Sequence, residues 1–89
     1  MNILICDDEK EFLSTLYRHV QEYMKNRFIP HSITVSDNPV AIMEANKIFD
    51  LAFLDIQMAG VDGLTLAKEL KKRNPKLAIF FITNFDEYQ

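Results

Sequence analysis

Two short apolar runs in this sequence end in aspartate, and this repeated pattern constrains the fold more than any other feature. The first run is "NILIC" at residues 2–6, which is followed by Asp7 and Asp8. The second is "LAFLD" at residues 51–55, which ends in Asp55. Apolar runs without polar alternation are typical of strands that are covered on both faces in a parallel sheet. Because aspartate is a poor strand residue, we expect both strands to end at these carboxylates.

Three helical patterns separate the apolar runs. Residues 9–27 carry apolar side chains three and four positions apart, which predicts an amphipathic helix with Asp8 as its N-cap. A shorter helix is expected to begin with Asn38 as its cap and Pro39 in its first turn. A third is expected in "VDGLTLAKELKKRNP", residues 61–75. The apolar residues expected on the second helix are Ile42, Ala45, Ile48 and Phe49. Those expected to point inward from the third helix are Leu64, Ala67 and Leu70.

Two further strands complete the predicted sheet. Residues 31–37 alternate between apolar and polar side chains, which favours a position at the edge of a sheet. Residues 77–83, "LAIFFIT", form the most apolar run in the chain. Strands and helices therefore alternate with short connections, and this order predicts an α/β fold with a doubly wound parallel sheet and helices on both faces. In such sheets, ligands bind beyond the carboxyl ends of the strands.

Composition excludes several classes of function. The 89 residues fit one small domain, and 13 acidic against 10 basic residues give a net charge of −3, which argues against direct nucleic-acid binding by this part of the protein. No stretch approaches the roughly 18 apolar residues of a membrane span, so we expect no membrane contact. Cys6 is the only cysteine and cannot form an internal disulfide, which favours the reducing cytoplasm.

Four polar residues at the ends of three predicted strands define a candidate site. They are Asp7, Asp8, Asp55 and Thr83. Neighbouring strands lie about 4.8 Å apart, so these side chains can converge, and a hard cation such as Mg²⁺ would relieve the repulsion between the carboxylates. Because Mg²⁺ commonly binds one or two carboxylates together with a phosphoryl oxygen, we expect Asp55 to be a nucleophile toward a phosphorylated donor, with Thr83 donating its hydroxyl to the phosphoryl group.

A simpler interpretation of some of these residues remains open. Asp8 and Glu9 could merely cap the first helix, with Glu11 completing a capping box. Asp62 and Gly63 are interpreted as an ordinary turn and helix start without a catalytic role. His19 and His31 have no histidine or cysteine partner at metal-ligand spacing, so we do not expect a zinc site.

Three motifs in this order, "ILICDDE", "FLDIQMAGVDGL" and "IFFITN", resemble the receiver domains of two-component response regulators. The resemblance implies a flavodoxin-like sheet with strand order 2-1-3-4. It also implies that Asp55 is the phosphoacceptor and that Thr83 is the switch hydroxyl. Asp8 would be a direct Mg²⁺ ligand, Asp7 a ligand through water, and Gln57 a ligand through its main-chain carbonyl.

The same resemblance implies a signalling function and its partners. In receivers of this kind a sensor histidine kinase supplies the phosphoryl group from a phosphohistidine, and the first helix, here residues 9–27, forms much of the docking face. Such a domain assists its own phosphorylation and is not an enzyme in the ordinary sense. Residues 84–88, "NFDEY", further resemble receivers that carry a LytTR-type DNA-binding output domain, which implies transcription regulation by the full-length protein.

A complete receiver continues through a fourth helix, a fifth strand and a fifth helix, and its fifth strand ends in a lysine that pairs with the phosphoryl group. We therefore expect residues 1–89 to be a receiver domain that is incomplete at its C-terminus and lacks the final strand and helices. "LAIFFIT" would then be an unpaired apolar edge, which predicts self-association through the fourth strand.

Two other functions are compatible with the sequence. One is an interaction scaffold with the same fold that does not accept a phosphoryl group, since the pairing lysine is not present in residues 1–89. The other is a phosphatase of the haloacid dehalogenase type, which also combines an aspartate nucleophile with Mg²⁺. The adjacent acids Asp7 and Asp8 argue against this second alternative, because such phosphatases space their acids as Asp-x-Asp.

Overall fold

The computed structural model describes residues 1–82, which form a single parallel β-sheet with helices on both faces. The strands are β1 (Asn2–Cys6), β2 (Ser32–Ser36), β3 (Leu51–Asp55) and β4 (Ala78–Ile82), in the order β2-β1-β3-β4. The helices are α1 (Lys10–Asn26), α2 (Pro39–Glu44) and α3 (Gly63–Arg73). The predicted fold class and strand order are confirmed. Thr83, predicted to end the fourth strand, lies outside the described residues.

Alternate residues of β1 supply the two halves of the core. Leu4 and Cys6 belong to a cluster with buried residues of α2 and α3, whereas Ile3 and Ile5 belong to a cluster with buried residues of α1. All four side chains are fully buried. The unbroken apolar run at the start of the chain is therefore explained by burial on both faces of the sheet. Among the described residues, no helix is both long and apolar enough to cross a lipid bilayer.

The strand that alternates in sequence lies at the edge of the sheet, as predicted. Within residues 1–82, β2 pairs with β1 and with no other strand. Its Val35 is 42% exposed, so β2 is less enclosed than β1. The two inner strands are β1 and β3; β3 ends in Asp55, and β1 is followed directly by Asp7 and Asp8.

The cap predicted for the first helix is wrong by one residue. α1 begins at Lys10, and its N-cap is Glu9 rather than Asp8. The Asp7 carboxylate accepts a hydrogen bond of 2.9 Å from the Glu9 amide, which forms a local turn between the strand and the helix. Because this turn occupies the position before the helix, Asp8 is left exposed at the strand end instead of capping α1.

The second helix is shorter than its apolar pattern predicts. α2 ends at Glu44, Ala45 is its C-cap, and Ile48 is 53% exposed. The guanidinium of Arg73 on α3 donates to the carbonyl of Ile42 at 3.2 Å and to that of Met43 at 2.6 Å. A side chain from another helix thus satisfies carbonyls that a longer α2 would have used.

The predicted inward position of Leu64 is also wrong, since its side chain is 51% exposed. Leu66, Ala67 and Leu70 form the buried face of α3. At about 100° per residue, Leu64 lies roughly 110° around the helix axis from the centre of that face. Its spacing of three residues from Ala67 was therefore not enough to bury it.

Candidate metal centre

The sheet brings three aspartates from two strands together at one edge. β1 and β3 are parallel neighbours, and Cys6 pairs with Leu54 in their register. The next residues along the two strands are Asp7 and Asp55, which therefore lie side by side beyond this pair. Asp8 follows on the β1 side, and one carboxylate oxygen from each of the three aspartates lies within 4.8 Å of the others. The convergence expected of these residues is present.

Hydrogen bonds at the strand ends hold two of the carboxylates in place. The Asp7 amide donates to the carbonyl of Ser36 on β2 at 3.2 Å, so Asp7 continues the strand pairing by one residue. One oxygen of the Asp7 carboxylate accepts from the Glu9 amide at 2.9 Å. One oxygen of Asp55 accepts from the Gln57 amide at 3.3 Å. Both aspartates thus form turns with the residue two positions ahead, which limits the rotamers available to them.

The three carboxylates differ in their access to solvent. Asp7 is 5% exposed, Asp55 is partly buried and Asp8 is exposed. Burial raises the pKa of Asp7 from 3.8 to about 6, the hydrogen bond from the Glu9 amide opposes this change, and the charges of Asp55 and Asp8 add to it. The cluster therefore carries negative charge that is poorly solvated at its inner end, and a cation would stabilise it.

The donor atoms fit a hard divalent cation. Carboxylate oxygens on an open sheet edge leave room for water and for a further oxygen ligand, which is the coordination that Mg²⁺ prefers. Cys6 lies directly below, but its thiol is unsuited to binding a metal. Burial, together with the charge of Asp7, raises the pKa of Cys6 to about 12, so the thiol stays protonated. Within the described part of the chain, no second group of three such ligands meets the same distance limit.

The remaining predicted site residues have different outcomes. Gln57 lies two residues after Asp55 and contacts it through its amide, while coordination by its carbonyl stays a prediction. Thr83 lies outside the described residues. His19 is exposed on α1, the ring of His31 contacts the carbonyl of Ile29 at 2.8 Å, and neither histidine belongs to the acidic cluster.

Two neighbours of the cluster were missed at the sequence level. The sulfur of Met58 lies 3.7 Å from that of Cys6, below the aspartates, and no sequence pattern indicates this contact. Gly63 donates its amide to the carbonyl of Ile56 at 2.8 Å and lies against the backbone of Asp55. The signal that could have found it is a glycine at the first position of a helix, where helix propensity gives no reason for one.

Comparisons with known proteins point to one family. The family model described as the response regulator receiver domain matches residues 3–89. The positive alginate biosynthesis regulatory protein of Pseudomonas aeruginosa is 34% identical over 88 residues, which cover 99% of this chain and 35% of that protein. Accessory gene regulator protein A of Staphylococcus aureus is 30% identical over 92 residues, covering 98% of this chain and 39% of that protein. The chain thus spans little more than a third of the length of these curated relatives.

Solved structures give the same fold. The response regulator protein TrrA of Thermotoga maritima, crystallised in complex with Mg²⁺-BeF, matches with a TM-score of 0.76 and 28% identity, over 99% of this chain and 73% of that one. A response regulator receiver protein from Sinorhizobium medicae matches with a TM-score of 0.78 and 20% identity, over 93% of this chain and 65% of that one. The second likeness supports the fold alone.

Proposed function

Since this chain belongs to the response regulator receiver domain family of two-component signalling, we propose that it accepts a phosphoryl group on Asp55 from a sensor histidine kinase. Mg²⁺ would be held by Asp8 and Asp55 directly, by Asp7 through water, and by the main-chain carbonyl of Gln57. Thr83, which lies outside the described residues, would donate its hydroxyl to the transferred phosphoryl group.

One observation supports this proposal above all, the meeting of three carboxylates from two inner strands at the carboxyl edge of the sheet. A structural role alone gives no reason to gather three negative charges there, because their repulsion and the burial of Asp7 destabilise the fold. The relative from Thermotoga maritima was crystallised with Mg²⁺-BeF, which agrees with a magnesium site in this family.

The exposure of the three acids argues against Asp7 as the nucleophile and is compatible with Asp55. Asp7 is 5% exposed, so a donor on another protein cannot reach it, whereas Asp55 is only partly buried. In the proposed step an oxygen of Asp55 forms a bond to phosphorus while the P–N bond of the phosphohistidine breaks. The electron pair of that bond goes to the imidazole nitrogen, which takes a proton from water. When bound, Mg²⁺ would neutralise charge on the phosphoryl oxygens and on the carboxylate.

The partners of the whole protein follow from the same assignment. We propose that α1 contributes to the docking face for the kinase and that a DNA-binding output domain, of LytTR type, is controlled by the receiver. The curated relatives are named as regulatory proteins, which agrees with control of transcription. Residues 84–88, on which the subfamily assignment rests, lie outside the described residues. We propose the cytoplasm as the compartment, in keeping with a buried, unpaired Cys6.

The phosphoacceptor role is tested by incubating the protein with Mg²⁺ and acetyl phosphate and measuring its intact mass. We expect one phosphoryl adduct in the wild type and none in Asp55→Asn. Glu22→Gln, a charge-neutralising change on the exposed side of α1, is the matched control and is expected to keep the adduct. An unmodified wild type, or an adduct that survives Asp55→Asn, would refute the assignment.

The same samples separate the two alternative functions. A scaffold without phosphotransfer predicts no adduct and no Mg²⁺-dependent NMR shifts at Asp8 and Asp55. A phosphatase predicts turnover of p-nitrophenyl phosphate. The family assignment favours a signalling domain over a phosphatase.

We also propose self-association through β4. Within residues 1–82 this strand pairs with β3 alone and contains no charged residue. Phe80 is 56% exposed and Phe81 is 43% exposed, and successive strand residues point to opposite faces. Phe80 also stacks on Phe53 and lines an apolar groove of about 390 Å³ beside α1. We expect sedimentation to reveal dimers that Phe81→Lys disperses, and a stable wild-type monomer at all concentrations would contradict this proposal.

A further inference from the structure

The geometry points to Gly63 as a positioning residue for the phosphoacceptor. We infer that the missing side chain at residue 63 allows the start of α3 to press against the backbone of Asp55, and that this contact keeps Asp55 in register with Asp7 and Asp8. The inference rests on the proposed function, which it deepens by adding a residue that contacts neither the metal nor the phosphoryl group.

The contact is one that no other amino acid could make. A Cβ atom at residue 63 would overlap the carbonyl oxygen of Asp55, and it would lie 2.9 Å from the carbonyl carbon of Asp55 and 3.0 Å from the Cα of Ile56. All three are backbone atoms, so no flexible side chain could move aside to make room. The backbone at Gly63 lies outside the positive-φ region, unlike that of Gly60, so the requirement for glycine is purely steric.

Contacts with α2 and with the core oppose a retreat of the helix from this contact. At its start, α3 is ordered by its own cap, in which the carboxylate of Asp62 accepts from the Thr65 amide at 2.7 Å. At its end, Arg73 donates to the carbonyls of Ile42 and Met43 on α2. Between these ends, Leu66 and Leu70 are buried in the core beneath the sheet. A side chain at residue 63 would therefore displace the Asp55 backbone rather than the helix.

Displacement of that backbone would disturb the proposed metal site directly. Asp55 supplies one carboxylate, and its turn with Gln57, closed by the hydrogen bond of 3.3 Å, positions the carbonyl proposed as a further ligand. The Gly63 amide holds the middle of the same turn by donating to Ile56 at 2.8 Å. Two of the four proposed ligands therefore belong to one turn that lies against Gly63, while Asp7 and Asp8 belong to another strand.

The test compares Gly63→Ala with two control variants in α3. Leu64→Ala changes the next residue, which is half-exposed, and Ala67→Gly weakens the helix at a buried site away from Asp55. We would measure folding by circular dichroism, the Mg²⁺ dissociation constant by calorimetry and the rate of phosphorylation by acetyl phosphate. Small displacements at reacting groups can cost about 100-fold in rate. We expect Gly63→Ala to stay folded, bind Mg²⁺ at least tenfold more weakly and react at least tenfold more slowly.

The controls separate positioning from a general loss of stability. Ala67→Gly is expected to lower the melting temperature while it keeps the wild-type Mg²⁺ affinity, and Leu64→Ala is expected to change neither. A folded Gly63→Ala protein with wild-type Mg²⁺ affinity would overturn the inference. If Gly63→Ala does not fold, the inference is tested by NMR of the wild type. Adding Mg²⁺ should change the amide chemical shifts of Gly63 and Ile56 but not that of Leu70. Unshifted Gly63 and Ile56 amides would then overturn it.

Failure of the proposed function is distinguishable from failure of this inference. A wild type that binds Mg²⁺ but takes no phosphoryl group refutes phosphotransfer, and the Mg²⁺ affinities of the variants still decide the role of Gly63. If the wild type binds no Mg²⁺, the role of Gly63 is decided by NMR without metal. The amide shifts of Asp55 and Gln57 are then compared between the wild type and folded Gly63→Ala. Shifts confined to Asp55, Ile56 and Gln57 support positioning, and unchanged shifts contradict it.

Discussion

Replacing Asp7 by asparagine should stabilise the protein at neutral pH when no divalent cation is present. The Asp7 side chain is 5% exposed and faces Asp8 and Asp55, so its ionised form is poorly solvated and repelled by its neighbours. An asparagine at this position would keep the shape of the side chain and the oxygen that accepts from the Glu9 amide. The substitution therefore removes the charge and retains the local turn.

The magnitude follows from the pKa of Asp7. Folding raises this pKa from 3.8 to about 6, so the folded state binds the proton more tightly than the unfolded state does. The stability that the folded state gains from the protonated Asp7 is complete below about pH 4 and is lost as the pH rises through about 6. At about 1.4 kcal/mol per unit, the full loss near pH 7.5 is at most about 3 kcal/mol. Water and salt reach the exposed side of the cluster, so we expect Asp7→Asn to gain about 1–3 kcal/mol.

Urea unfolding followed by circular dichroism at pH 7.5 and near pH 4 measures this effect. We expect the gain at pH 7.5 to disappear near pH 4, where Asp7 is protonated in the folded wild type. Glu22→Gln, which removes an exposed acid from α1, should change stability by less than about 0.5 kcal/mol at either pH. An Asp7→Asn variant that is no more stable than the wild type at pH 7.5, or equally stabilised at both pH values, would refute this reasoning.

Adding Mg²⁺ should reduce the stability advantage of Asp7→Asn over the wild type and, at sufficient Mg²⁺, reverse it. At about 100 times its dissociation constant, a ligand that binds only the folded state contributes roughly 2.7 kcal/mol. The wild type should gain this stability, and Asp7→Asn should gain much less because its cluster has lost a negative charge. Equal stabilisation of both proteins by Mg²⁺ would argue that the ion binds elsewhere.

Three further predictions concern residues around the site and core. Arg73→Ala should lower the free energy of unfolding by about 2–4 kcal/mol in the same urea assay, because carbonyls at the end of α2 lose a charged donor. The control Lys72→Ala, on the exposed side of α3, should have little effect. Asp62→Ala should cost about 1 kcal/mol through loss of the α3 cap, and an unchanged melting temperature would contradict that role. Cys6 should resist alkylation by iodoacetamide at pH 8 until urea unfolds the protein, because burial raises its pKa to about 12; rapid labelling of the native state would show this to be wrong.

The parts of the fold that could be predicted from sequence are those set by local patterns. The unbroken apolar run of β1 and the alternating run of β2 identified an inner strand and an edge strand, because burial on one or both faces acts directly on residue type. Asn38 and Asp62 cap helices through side chains that reach the amides three residues ahead, a purely local interaction. The three aspartates of the candidate site could be predicted to meet because parallel strands end at the same edge of a sheet.

Errors arose where a residue distant in sequence supplied the decisive interaction, or where packing direction or a neighbouring turn overrode a local preference. The apolar pattern favoured a longer second helix, but Arg73 from α3 binds the carbonyls where α2 ends. Asp8 has the composition of an N-cap, but the turn that Asp7 forms with Glu9 occupies the start of α1. Leu64 has a helical spacing to a buried residue, but the direction in which α3 packs leaves it half-exposed.

By itself, the sequence determined the succession of strands and helices and the acids at the strand ends, since these depend on side-chain burial and on neighbours within a few residues. Only the tertiary structure decided the distances within the acidic cluster, the raised pKa of Asp7 and the place where α2 ends. It alone also revealed why residue 63 is glycine, because the backbone that a side chain would strike belongs to a different element. Contacts between elements depend on how the elements pack, and no local pattern in the chain records that packing.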